Sequence, residues 1–143
     1  MIGIIVTGHG NFATGVSSAL HLITGQQENY ETVDFVESDG VEDLRSNLKT
    51  AISKLEACET VLVFSDLVGG SPFKTAVEIS LEESKKITVL GGTNLGMLIE
   101  CVMSRNFIDD VQLIIQQGIT AGKDQILKYE FVERKEEEVE EGI

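Results

Sequence analysis

The residue best placed to do chemistry in this chain is a histidine set between two glycines, Gly8-His9-Gly10. The glycines take away side-chain cover and leave the imidazole reachable. Histidine titrates near neutrality, so one ring nitrogen is free to act as base, ligand or nucleophile. Asp66 is the second candidate. It ends the apolar run Thr60–Ser65 much as His9 ends the run Ile2–Val6. If those runs are neighbouring strands, the carboxylate accepts a proton from one ring nitrogen, fixes the tautomer and leaves the other nitrogen to attack. The third candidate is Gly69-Gly70-Ser71-Pro72. Ser71 as N-cap and Pro72 at the first helical position predict a helix start there. The unpaired N–H groups at such a start, the helix dipole and the Ser71 hydroxyl favour an anion.

A nucleophile, an orienting acid and an anion cradle suit a phosphoryl carrier, because phosphoryl transfer depends mainly on positioning and electrostatics. Each residue also has a plainer reading: His9 as a surface histidine in a turn, Asp66 as the cap of its own loop, Ser71 as a helix cap only. A non-catalytic module that binds a small anion, with His9 a contact, is the rival from another functional class. No Walker A loop or G-x-G-x-x-G fingerprint is present, so nucleotide binding has little support. His21 falls within a helical pattern away from these loops and reads as a surface or packing residue.

The elements that must position these groups follow from periodicity. Ile2–Val6 and Thr60–Ser65 read as strands buried on both faces; Glu31–Val36 and Ile87–Leu90 are two more. Helical spacing fills Asn11–Ile23, a segment with Val41 to Leu55 on one face, Ser71 to about Glu83, Asn94 to about Ser104, and a last helix opened by Asp109-Asp110. Asp39 and Glu42 have capping-box spacing, and Gly122 reads as a C′ glycine. Gln125–Val132 holds a fifth, more polar strand candidate. Such alternation predicts a layered α/β sandwich with a mainly parallel sheet and right-handed crossovers. Ligands bind beyond the carboxyl ends of such strands. There the loops Thr7–Asn11, Asp66–Ser71 and Gly91–Asn94 converge, each glycine-rich.

The 143 residues suit one domain, over 1–132, followed by an acidic tail, 133–143 (ERKEEEVEEGI), expected to be disordered. With 24 acidic and 11 basic residues, the net charge of −13 argues against nucleic acid or an anionic membrane as the main partner. Cys58 and Cys101 lack CxxC spacing and read as buried thiols of a reducing compartment. No metal site is expected from so few Cys and His, and no organic cofactor is implied. No apolar run approaches a membrane span and no signal peptide precedes His9, so the expected location is the cytoplasm.

Three segments carry a resemblance: IGIIVTGHGNFA at the start, VFSDLVGGSPF from Val63 to Phe73, and GGTNLGML from Gly91 to Leu98. In order and spacing they resemble the enzyme IIA domain of the mannose-type (mannose, fructose, sorbose) bacterial sugar phosphotransferase systems, over about residues 1–130. The resemblance implies that His9 takes a phosphoryl group from the carrier protein HPr and passes it to enzyme IIB, which phosphorylates sugar entering through membrane permease subunits. Contact with the membrane is then indirect. Asp66 would orient the histidine, and Ser71, with Gly69 and Gly70, would lie at the phosphoryl group. It implies four parallel strands plus one antiparallel edge strand, exchanged between the chains of a homodimer; here that strand would fall at Gln125–Val132. Val68 replaces a residue often aromatic in the family, and Gly96 one often proline. No IIB domain follows, which reads as a standalone IIA subunit. Similar domains serve as phosphoryl donors to dihydroxyacetone kinase and as modules of transcription regulators.

Overall fold

A computed structural model describes residues 1–133. Nine elements alternate along it: β1 (Ile2–His9), α1 (Phe12–Thr24), β2 (Tyr30–Phe35), α2 (Val41–Lys54), β3 (Thr60–Ser65), α3 (Ser71–Glu82), β4 (Lys86–Leu90), α4 (Leu95–Ser104) and α5 (Val111–Asp124). The strands form one parallel sheet in the order β2-β1-β3-β4. The chain steps from β1 to one side for β2 and to the other for β3. The switch point between β1 and β3 is where such sheets open a crevice at their carboxyl ends.

Residue alternation along the central strands builds the three layers. Ile4 and Val6 of β1, with Leu62 and Phe64 of β3, face α1, α4 and α5; Leu20, Leu98, Val102 and Ile114 close over them. Ile5, Val61 and Val63 point the other way, against Leu44, Leu48 and Ile52 of α2 and Ala76 and Ile79 of α3. Buried on both faces, β1 and β3 need the near-continuous apolar runs that mark them in the sequence.

Several local expectations shift. Strand β1 continues past Val6 to His9, because Gly8 and His9 pair with Asp34 and Phe35. The cap of α2 is Gly40, whose N–H donates to Asp43 at 2.8 Å, while Asp39 accepts from the Val36 N–H. Cys58 lies between α2 and β3, and it and Cys101 are buried free thiols. Burial, then the nearby Glu100, pushes the Cys101 thiol up to about 12. Gly122 does not end α5. It lies inside that helix, where a Cβ would come within 3.1 Å of Met97 Cβ, and at Gly118 one would meet Cys101 Sγ at 2.3 Å. These glycines let α4 and α5 approach closely.

The antiparallel fifth strand expected over Gln125–Val132 is not formed in the single chain. After α5, residues through 133 carry neither helix nor strand, and Ile126, Leu127, Tyr129, Phe131 and Val132 are exposed. An isolated strand has no partner for its backbone groups, and this segment docks on neither edge of its own sheet. The acidic tail lies, from residue 134 on, outside the described residues.

At the amino edge of the sheet a buried arginine closes the structure. Arg105, at the end of α4, donates from Nη1 to the carbonyls of Ile2 (2.7 Å) and Asn29 (3.1 Å), and from Nη2 to Glu28 O (2.5 Å) and Gln27 Oε1 (3.3 Å). The segment entering β2 is thus tied to the first residues of β1.

Candidate functional site

His9 is the last residue of β1 and Asp66 follows β3 directly, on the neighbouring strand of the sheet. His9 Nδ1 lies 2.9 Å from Asp66 Oδ2, and the same oxygen accepts the His9 backbone N–H at 2.8 Å. Asp66 Oδ1 accepts the Leu67 N–H at 2.6 Å. Burial alone would raise the Asp66 pKa. The His9 amide, the His9 ring, the Leu67 amide and the positive charge available to His9 outweigh it and hold the carboxyl below its ordinary value. An ionised carboxylate only accepts, so Nδ1 carries the proton and the lone pair stands on Nε2.

Glycines make this approach possible. At Gly8 a Cβ would lie 2.9 Å from Asp66 Cγ and 2.5 Å from Phe12 Cδ2, so any larger residue would push the acid off the ring. At Gly70 a Cβ would lie 2.7 Å from His9 Cε1 and 3.3 Å from Nε2. The ring therefore rests on the backbone at the start of α3, with Nε2 beside it.

That start differs by one residue from the expected one. Gly70 is the N-cap, Ser71 the first helical residue and Pro72 the second. Lys74 N–H closes the first helical bond, onto Gly70 O at 2.9 Å. The N–H groups of Ser71 and Phe73 precede that bond and have no intrahelical acceptor. Gly69 has φ +86°, a left-handed turn that carries the chain from Leu67 into the helix. The loop after β4 supports the site from behind. Gly92 N–H donates to Asp66 O at 2.9 Å and Thr93 N–H to Ser65 O at 3.1 Å. Asn94, read as part of the converging loops, instead caps α4 through Met97 N–H and reaches Gly122 O.

His9, Asp66, Gly69, Gly70 and Ser71 are thus brought to one place, and His21 is not among them: it packs edge-on to Tyr30, ring centroids 5.0 Å apart. The site is an open surface rather than a cavity. The His9 side chain is 46% exposed and Asp66 19%, and Leu67 and Val68 beside them stand 61% and 65% exposed. Phe35, at the end of β2, was not foreseen. It exchanges backbone bonds with Gly10 at 2.7 and 3.3 Å, and its ring centroid lies 6.0 Å from that of His9. Only knowledge that β2 neighbours β1 would have signalled it. Chemically, the arrangement offers one nitrogen lone pair, an acid to hold the ring and balance its charge, and backbone donors for an anion. Among the described residues no helix is long and apolar enough to cross a membrane.

Known proteins share this arrangement of sequence and fold. The family described as "PTS system fructose IIA component" matches residues 3–117. The sorbose-specific EIIA component of Lacticaseibacillus casei is 30% identical over 111 residues, 78% of this chain and 79% of that protein. The mannose-specific EIIAB component of Escherichia coli K12 is 29% identical over 135 residues, 93% of this chain and 42% of that protein. The chain therefore spans about two fifths of the length of these EIIAB relatives. The crystal structure of phosphotransferase system component EIIA from Streptococcus agalactiae superposes with a TM-score of 0.83 at 37% identity, covering 90% of this chain and 97% of that one.

Proposed function

The chain belongs to the family of phosphotransferase-system fructose IIA components, and from that premise we propose that it is a cytosolic phosphoryl carrier that uses His9 Nε2 as acceptor. The donor is a phosphohistidine of HPr. The Nε2 lone pair attacks phosphorus, the bond from phosphorus to the donor nitrogen breaks, and its electron pair returns to the donor ring. Asp66 holds the Nδ1 proton throughout and balances the positive charge that the His9 ring acquires. The N–H groups of Ser71 and Phe73, the Ser71 hydroxyl and the turn at Gly69-Gly70 receive the phosphoryl oxygens. Reversal toward a histidine of enzyme IIB completes the relay and feeds sugar uptake by the permease. Residues 1–132 form the carrier domain in this reading, and two chains pair by exchanging the segment Gln125–Val132.

The observation that carries the proposal is the contact of His9 Nδ1 with an acid of lowered pKa, which leaves Nε2 outward over a helix start. The openness of the site supports a protein rather than a small molecule as donor, since an exposed imidazole framed by Leu67 and Val68 can meet another protein's ring face to face. The test is incubation with phosphoenolpyruvate, enzyme I and HPr. An acid-labile, base-stable adduct is expected on the wild-type chain and absent from His9→Ala. Labelling of His9→Ala at the wild-type level overturns the assignment.

A further inference from the structure

Helix α1 begins without a cap of its own. Asn11 stands at the N-cap position with φ −100° and ψ 29°, makes no capping side-chain bond, and the first turn holds no acidic residue. The N–H groups there are the positive end of the helix and lack intrahelical acceptors. The missing acceptor comes from the neighbouring strand. Thr14 N–H donates to Asp34 Oδ1 at 3.0 Å, and the Thr14 hydroxyl to Asp34 Oδ2 at 2.7 Å. Both oxygens of the acid are thereby directed onto one residue of α1.

Asp34 stands opposite Gly8 in the β1–β2 register, and the next residue, Phe35, stands opposite His9. Phe35 holds Gly10 through its two backbone bonds. Residues 34 and 35 therefore grip the chain on the far side of His9 at two points, Gly10 and Thr14, with the turn at Gly10 (φ +59°) and Asn11 between them. Asp66 reaches the histidine from β3, on the other side.

We infer that Asp34 is a positioning residue for His9: by capping α1 from β2 it fixes the Gly10–Asn11 turn, and with it the tilt of the imidazole against Asp66 and the start of α3. Asp34 acts through Thr14 and the turn, not by touching the ring. The consequence for transfer rests on His9 being the phosphoryl acceptor; the consequence for the ring does not.

The test uses the full chain with Asp34→Ala, Asp34→Asn and Ser17→Ala, the last removing the bond from α1 to Tyr30 at the other end of β2. Imidazole nitrogen resonances of His9, the thermal midpoint and the rate of transfer from phosphorylated HPr are measured for each. Asp34→Ala is expected to move the His9 resonances and slow transfer roughly ten-fold at a nearly unchanged KM for the donor, because small misplacements of a reacting group are costly. Asp34→Asn keeps an acceptor for the Thr14 N–H and should recover most of both. Ser17→Ala should lower the midpoint while leaving the ring resonances in place. Unmoved resonances in folded Asp34→Ala overturn the inference, as does an equal displacement in Ser17→Ala. If the wild-type chain takes up no phosphoryl group, the functional proposal falls and the resonances alone decide the role of Asp34.

Discussion

At the carboxyl edge of the sheet the His9 side chain is 46% exposed and its ring meets one carboxylate. At the amino edge Arg105 is 7% exposed and its guanidinium meets four oxygens, those of Ile2, Gln27, Glu28 and Asn29. Both are polar links between segments far apart in the sequence. They differ in what is left over. Arg105 commits both terminal nitrogens to acceptors that carry no charge, and its Nε, without a partner among the described residues, is buried out of reach, so its position is fixed. Burial lowers its pKa, against the opposing influence of Cys58, Tyr30 and Glu28, yet a guanidinium stays charged wherever the fold exists. His9 commits one nitrogen and leaves the other at the surface. Burial with both terminal nitrogens paired makes a clamp, whereas partial pairing at an open edge leaves a nitrogen free for chemistry.

The sharpest way to break this contrast is to remove the clamp. Arg105→Met should destabilise the fold by about 3 kcal/mol, because the buried Ile2 carbonyl and the part-buried Glu28 and Asn29 carbonyls lose their charged donor. Chemical denaturation would measure it. Transfer per folded molecule should be unchanged, since the lesion lies at the other end of the strands. A variant that kept its stability and lost transfer would show that the two edges are not independent.

At the carboxyl edge the expected effects are kinetic. Asp66→Asn keeps the shape of the side chain but no longer selects the ring tautomer. Transfer from HPr should slow on the order of a hundred-fold, as happens when a histidine loses its orienting carboxylate. Unchanged single-turnover rates would show that the acid does not orient the ring. Gly70→Ala is milder. The backbone there (φ −77°) tolerates alanine, but the new Cβ would press on His9 Cε1. A loss of roughly ten-fold in transfer with little change in unfolding midpoint is expected, and stopped-flow labelling beside a melt separates the two.

The sequence made this edge legible in large part. Two near-continuous apolar runs announce buried parallel strands, and the glycines after them announce close backbone approach. That placed His9, Asp66 and Gly69–Ser71 together. What it hid were features that depend on which elements are neighbours. Asp34 and Phe35 read as ordinary strand residues until β2 is known to lie beside β1. Arg105 carries no local signal, because its partners are carbonyls separated from it by most of the chain. Gly122 looked like a helix terminator by its position near the end of a helical pattern, whereas its cause is the close approach of α4. Ser71 preceding Pro72 fits the cap position by propensity, yet the turn at Gly69 lets Gly70 take it. Gln125–Val132 has strand composition but no strand, since composition supplies no pairing partner.

The smallest expected effect lies in acid, and only one of the two edges shows it. Asp66 has a folded pKa below its ordinary 3.8, because its oxygens accept from His9 and Leu67. A lowered carboxyl pKa means that the fold favours the ionised form. The resulting stability is present in full above the unfolded value and drains away as pH falls through the folded one. Arg105 has no titration in that range and contributes no slope. Stability of the wild-type chain relative to Asp66→Asn should therefore hold steady near neutrality and shrink as pH falls below about 5 and on through the folded pKa, whereas the gap between wild type and Arg105→Met should stay level. Denaturation midpoints across that window measure both. Parallel curves for wild type and Asp66→Asn would mean that the contacts of Asp66 with His9 and Leu67 add nothing to the fold, leaving them a purely kinetic purpose.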